Sequence, residues 1–170
     1  ELGASVTAER FNREVKLLSQ LRHPNILTLI DSGEADGRLF YVMPYVEGQS
    51  LRDVMNQGPA PLGDAVRLLR DVVDALAYAH RQGLVHRDVK PENVLVDDRH
   101  ALVTDFGIAR AVAGDPDGGK RLTLAGRTLG SPNYMAPEQV AGSPDADARG
   151  DISAFGVMAS ELLAGRLPYE

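Results

Sequence analysis

The chain has 170 residues, of which 44% are apolar and 25% charged, with a formal net charge of -6 and no cysteine. The acidity argues against nucleic acid as the main partner, and the lack of cysteine excludes disulfides and thiolate metal sites. With no membrane-length apolar run and no signal-peptide pattern in the sequence, the expectation is one or two small lobes, located in the cytoplasm.

In chain order, residues 8–22 are predicted to form an amphipathic helix. Phe11, Val15, Leu18 and Leu21 recur at helical spacing, with Arg10, Arg13 and Lys16 elsewhere on the surface, and His23-Pro24-Asn25 stops it. Ile26 to Ile30 and Leu39 to Met43 read as strands, with turn chemistry at Asp31-Ser32-Gly33 and Asp36-Gly37 between them. Pro44-Tyr45-Val46-Glu47-Gly48 reads as a linker, and Ser50 is placed to cap a short helix running through Met55. After the breaker Gly58-Pro59-Ala60-Pro61, residues 63–82 give the clearest helix. Its stripe is Val66, Leu69, Val73, Leu76 and Ala79 or His80, and Gly83 ends it.

Val94-Leu95-Val96 and Ala101-Leu102-Val103 are apolar runs separated by the polar Asp97-Asp98-Arg99-His100, the pattern of two short strands and a turn. Gly114-Asp115-Pro116-Asp117-Gly118-Gly119 has a composition that cannot pack and is expected to be mobile. Residues 151–164 are apolar nearly all round, which predicts a buried helix closed by Gly165 and Pro168.

Chemistry concentrates in His86-Arg87-Asp88-Val89-Lys90-Pro91-Glu92-Asn93, followed by Asp105-Phe106-Gly107 and Ala136-Pro137-Glu138. Taken singly, Asp-x-Lys is usually a solvated pair and Asp-Phe-Gly a turn; their order and flanking strands make the set informative. Asp88 can accept the proton of an attacking hydroxyl, and Lys90 can offset charge developing on a transferring phosphate. Asn93 and Asp105 offer hard oxygen ligands suited to Mg²⁺. A hairpin over 94–103 brings those two together, as shared metal ligation requires. Phosphoryl transfer needs this set, because there the protein's work is positioning and charge neutralisation.

These motifs resemble those of the eukaryotic-like protein kinase family, and the resemblance runs from about residue 9 to the end. The phrasing Tyr-Val-Met-Pro-Tyr-Val-Glu-Gly and Ala-Pro-Glu-Gln is similar to the bacterial branch. The implied fold is α+β and two-lobed, here partial. Residues 1–43 are a remnant of the β-rich N-lobe, 44–49 the hinge and 50–170 most of the front half of the helical C-lobe, with an activation segment at 105–138. By resemblance, Asp88 is the catalytic base, Lys90 its partner at the phosphate, and Asn93 and Asp105 the Mg²⁺ ligands. Met43, Pro44, Val46 and Leu95 belong to the ATP site; Met43 is the gatekeeper, and the Pro44 carbonyl and Val46 backbone bind adenine. Pro44 lacks an N–H but keeps the carbonyl that the adenine contact uses.

Ser131 is placed to bond the catalytic Asp and Lys, and with Lys90 it implies protein substrates modified on Ser or Thr rather than Tyr. Thr123 and Thr128 are the candidate phosphorylation sites, Thr123 preferred, and a phosphate there could pair with Arg87. Leu18, Leu29, Phe106 and His86 are expected to stack across both lobes, a contact that ordinary core packing also explains. Asp151 is implied to hold the catalytic loop's backbone, although a helix N-cap is the plainer role.

Two parts of the pattern are lacking. No Gly-x-Gly-x-x-Gly occurs, and Lys16, Lys90 and Lys120, the only lysines, leave Glu14 without the strand lysine it pairs with in the family. The expectation is a truncated kinase domain, with segments missing at both ends, Glu138 without its arginine, apolar faces exposed and little activity by itself. The rival reading is a pseudokinase or protein-binding module. Small-molecule phosphotransferases, a third class, usually lack Asp-Phe-Gly and Ala-Pro-Glu.

Overall fold

A computed structural model describes residues 15–35, 38–106, 132–141 and 147–169 (38–39 by backbone alone), together with the backbone of 123–124 and 127–128. Phe11, Glu14, Gly107, the 114–119 stretch and Ser131 lie outside the described residues. The architecture is α+β. After a helical turn at 15–18 come β1 (Asp31–Ala35), β2 (Arg38–Val42), β3 (Gln49–Ser50), α1 (Leu51–Asn56) and α2 (Leu62–Arg81). Then follow β4 (Val94–Asp97), β5 (His100–Val103), β6 (Thr123–Leu124), β7 (Arg127–Thr128), α3 (Pro137–Val140) and α4 (Ala148–Ala164). Among the described residues the strands form three antiparallel sheets: β1-β2, β3-β4-β5 and β6-β7.

The first strand is not where the sequence pattern puts it. Ile26–Ile30 makes only an isolated bridge, Ile26 to Val103, and the strand is Asp31–Ala35, paired with β2 from Asp31↔Val42 to Ala35↔Arg38. Asp31-Ser32-Gly33 carries turn chemistry, yet pairing with an apolar partner strand overrides it. Gly33 contributes by having no side chain: a Cβ there would lie 2.8 Å from Cζ of its register partner, Phe40. Residues 25–30 act instead as a tie. Leu27 N–H donates to the Val103 carbonyl at 3.0 Å, Val103 N–H to the Asn25 carbonyl at 2.9 Å, and Ile30 N–H to the Val42 carbonyl at 2.8 Å. One extended segment thus joins β5 to β2.

Ser50 caps α1 as expected, its hydroxyl accepting from Asp53 N–H at 3.1 Å while Asp53 accepts from Ser50 N–H at 3.1 Å. At Gly48 the chain approaches β4 closely enough that a Cβ would sit 2.4 Å from the Val96 carbonyl oxygen. A side chain there would push β3 off β4.

Helix α2 supplies more of the core than any other element described, packing on β5 and α4. Its buried face is Ala65, Leu68, Leu69, Val72, Ala75, Leu76 and Ala79. That corrects the predicted stripe by one position: Leu69, Leu76 and Ala79 are in it, but Val66 is 53% and Val73 39% exposed. Both registers satisfy a helical period, and the alanines, weak as hydrophobic markers, decide between them. Helix α4 is also less enclosed than its composition predicts. Asp151, Ala154, Val157, Met158 and Leu162 are buried, whereas Ile152 and Leu163 are more than half exposed. Among the described residues no helix is long and apolar enough to cross a membrane.

The corrected face of α2 is testable. Leu76→Ala removes a side chain that is 1% exposed and should cost about 2–5 kcal/mol in urea denaturation. Val66→Ala should stay within about 0.5 kcal/mol. The reverse order would restore the stripe through Val66.

Candidate active site

The loop from His86 to Asn93 is irregular until a single 3₁₀ turn at Pro91–Asn93, so its shape is imposed from outside. One side chain does most of this. Asp151, in the first turn of α4 and 1% exposed, accepts from the backbone N–H groups of His86 and Arg87, each at 2.7 Å. Its Oδ2 also takes a hydrogen from His80 Nε2 of α2 at 2.7 Å. The N-cap of α4 is Asp147, whose carboxylate accepts from Arg149 N–H at 2.8 Å, so Asp151 is not the cap. Arg87 has φ 69°, a left-handed conformation that costs a non-glycine residue energy and needs such support. Gln139 of α3 adds to it, donating from Nε2 to the Arg87 carbonyl at 2.9 Å.

The next residues converge on Asp88. Lys90 Nζ lies 2.6 Å from Asp88 Oδ2. Asn93 Nδ2 donates to the same oxygen at 3.0 Å and to the Asp88 carbonyl at 2.8 Å. Both partners accept only, which fixes the amide orientation and leaves Asn93 Oδ1 as its ligating atom. Among the described residues Asp88 Oδ1 carries no hydrogen bond. One oxygen is clamped and the other is left to act.

The β4-β5 hairpin brings Asp105 to Asn93, as the sequence predicts. Val94 pairs with Val103, and Thr104 N–H donates to the Asn93 carbonyl at 2.9 Å. Asp105 has φ 59°, in the left-handed region that Asp tolerates better than most residues. Tyr41 of β2 donates to Asp105 Oδ1 at 3.1 Å, and Thr104 Oγ1 lies 3.3 Å from Oδ2. Burial, then the Asp105 charge, push the Tyr41 phenol up to about 12. One carboxylate and one amide oxygen fit a divalent cation that shares its remaining positions with phosphates and water. Among the described residues no group of three or more His, Cys, Asp or Glu could hold a metal unaided.

His86 and Phe106 meet with ring centroids 4.5 Å apart, which forms one contact of the expected stack, and Leu18 and Leu29 are buried in the same apolar core as Phe106. His86 Nε2 faces the Thr104 carbonyl at 2.9 Å, and Nδ1 accepts from Asp88 N–H at 3.3 Å. The two contacts together require the neutral ring, and burial holds the His86 pKa below its usual value.

Met43 packs against the core at the end of β2, while Pro44 is exposed and Val46 half-buried in the irregular stretch that follows. That stretch ends in β3, where Ser50 pairs with Leu95. Thr123 and Thr128 are register partners across β6-β7. Glu138 is half-buried and makes no ion pair among the described residues. Glu14 and Ser131 cannot be placed, since both fall outside the described residues.

The sequence pattern passes over several participants. Thr104 and His80 belong to no motif, and Tyr41 opens Tyr-Val-Met-Pro-Tyr-Val-Glu-Gly without being given a role there. A further knot joins Arg52 of α1 to Glu92 at 3.0 Å, to Glu161 of α4 at 2.8 Å and to Tyr134. Glu92 and Gln139 lay inside quoted motifs, beside Asn93 and Glu138, but carried no role there.

Comparison with known proteins agrees with this geometry. The family described as "Protein kinase domain" matches residues 3–170. Serine/threonine-protein kinase pkn2 of Myxococcus xanthus is 43% identical over 167 residues, covering 96% of this chain and 20% of that protein. Serine/threonine-protein kinase PrkC of Bacillus subtilis is 40% identical over 163 residues, covering 95% of this chain and 24% of that protein. A crystal structure of the Mycobacterium tuberculosis PknI kinase domain superposes with a TM-score of 0.75 at 36% identity, covering 96% of this chain and 59% of that one. The chain therefore spans about a fifth to a quarter of the length of these curated relatives.

Two expectations follow from the loop's supports. Asp151→Ala orphans two amide N–H groups and the half-buried His80, and should cost about 3–5 kcal/mol in urea denaturation. His86 gives a pH dependence of definite sign. Its folded pKa is depressed, so below about 6.5 the unfolded state binds the extra proton and stability falls as pH falls, by at most about 1.4 kcal/mol per pH unit. Between pH 7 and 5.5, His86→Gln should lose stability less steeply than the wild type; equal slopes would contradict a buried neutral imidazole.

Proposed function

The chain belongs to the protein kinase family, in its bacterial serine/threonine branch, and from that premise we propose that the full-length protein transfers the γ-phosphoryl group of Mg·ATP to serine or threonine hydroxyls of proteins. The observation that carries this reading is the asymmetry of Asp88: Oδ2 is clamped by Lys90 at 2.6 Å and Asn93 at 3.0 Å, while Oδ1 faces no donor among the described residues. Oδ1 accepts the hydroxyl proton as the new O–P bond forms and the bond to the departing ADP oxygen breaks. Lys90 carries three N–H donors, so it can hold Asp88 and meet a phosphate oxygen at once. Asn93 Oδ1 and Asp105 are the cation ligands. Bound Mg²⁺ supplies neutralisation of phosphate charge that the chain's own side chains do not provide.

The ATP base is assigned to the stretch beyond β2, with Met43 behind it, the Pro44 carbonyl and Val46 backbone as its partners, and Leu95 of β4 beneath. Support comes from β3, which ties the end of this stretch to Leu95. Regulation is assigned to phosphorylation of Thr123 or Thr128, with Arg87 as the cation that receives the phosphate and Phe106 as the buried link to the loop. Ser131 is assigned to substrate positioning and Glu138 to the end of the activation segment. Glu14 is assigned to the lysine that orients the phosphates. Activity is assigned to the full-length protein, and use of ATP favours the cytoplasmic side.

Full-length protein should phosphorylate a generic Ser/Thr substrate with Mg·ATP, and Asp88→Asn should lower kcat by about 10²–10⁴. Equal rates would remove Asp88 as the base. Nucleotide binding without transfer in the wild type would favour the protein-binding reading.

A further inference from the structure

The Asp105 carboxylate is held at both oxygens before any cation arrives. Tyr41 Oη donates to Oδ1 at 3.1 Å, and Thr104 Oγ1 lies 3.3 Å from Oδ2. These holders differ in kind. Thr104 is the preceding residue, and its one hydroxyl hydrogen is shared between Asp105 Oδ2 and the Asn93 carbonyl, 3.4 Å away. Tyr41 comes from β2, 64 positions earlier, and is fixed by the β1-β2 ladder and by packing on the core. Among the described residues Tyr41 is the one side chain from another strand that donates to this carboxylate. Asp105 also sits at φ 59°, a sparsely populated conformation that the surrounding structure must hold in place.

We propose that Tyr41 is a positioning residue for Asp105, its hydroxyl fixing the carboxylate so that the remaining lone pairs face the same divalent cation as Asn93 Oδ1. This rests on the reading of Asp105 as a metal ligand. A carboxylate has about four lone-pair sites. Tyr41 and Thr104 take one on each oxygen, which leaves one on each for a cation, so donor and cation do not compete. Partners of this outer kind typically contribute about 10- to 100-fold in metal affinity or activity.

The test is direct metal binding, with Mn²⁺ as the probe. Free Mn²⁺ is followed by electron paramagnetic resonance in full-length protein saturated with a non-hydrolysable ATP analogue, for wild type, Tyr41→Phe and Asp105→Asn. Tyr41→Phe should bind Mn²⁺ about 10-fold more weakly, with analogue affinity in EDTA unchanged. Weakening by Asp105→Asn alone, with Tyr41→Phe equal to or tighter than wild type, overturns the proposal and leaves Asp105 as a ligand. Unchanged binding in Asp105→Asn removes Asp105 as a ligand and the proposal with it. A second measurement needs no change at Tyr41: tyrosine labelled with ¹³Cζ at position 41 should shift its resonance on Asp105→Asn in metal-free protein. An unmoved resonance also overturns the proposal.

Discussion

The Asp151 carboxylate accepts at 2.7 Å from each of two successive backbone amides and from a histidine, at a position that is 1% exposed. Removing a carboxylate from water costs several kcal/mol, and charge-assisted hydrogen bonds at this length offset it. The arrangement transmits position. Asp151 stands on α4, which packs against α2, and His80 on α2 binds the same oxygen as His86 N–H. The helix pair thereby sets where residues 86–87 lie, and the left-handed Arg87 turns the chain so that Asp88 follows at a fixed place.

From there the constraint passes through the sheet. Asn93 opens β4 and Thr104 follows β5, and the hydrogen bond between their backbones closes the hairpin end at which Asp105 emerges. Residues 25–30 bind β5 on one side and β2 on the other, so Tyr41 and Asp105 belong to one hydrogen-bonded framework. Asp88, Asn93 and Asp105 are polar groups whose placement is decided by apolar packing several residues away. The buried ring of His86 belongs to both systems. Its two nitrogens join the Thr104 carbonyl to the Asp88 amide, while its face meets Phe106.

How much of this the sequence reveals depends on the range of each interaction. Ser50 capping α1, the hairpin over 94–103 and the Asp88, Asn93 and Asp105 grouping were legible, because each rests on neighbours in sequence or on a motif with fixed spacing. The strand at Asp31–Ala35 was not, since its chemistry points to a turn and only pairing with β2 overrides it. The α2 face was misread by one position because Ala65 and Ala75 weigh little in a hydrophobic pattern yet are almost fully buried. Tyr41 was invisible for a different reason: its partner lies 64 residues away, and nothing local distinguishes it from an ordinary strand tyrosine.

The two carboxylates of the site are treated in opposite ways, which bears on their roles. Asp105 has a hydrogen-bond donor near each oxygen, so its orientation is fixed while its charge stays shared between two atoms. That suits a ligand, which must offer electron density in a set direction without taking a proton. Asp88 has both side-chain donors on Oδ2 and none on Oδ1 among the described residues. Both donors fix the carboxylate's direction through one oxygen, so Oδ1 keeps a set position without a partner of its own among the described residues. In the proposed transfer the protein's work is positioning, and an oxygen held in place with its acceptor sites open answers that need. In the proposed reading Lys90 acts in two directions, orienting Asp88 on one side and meeting phosphate charge on the other, from a point 2.6 Å from Asp88.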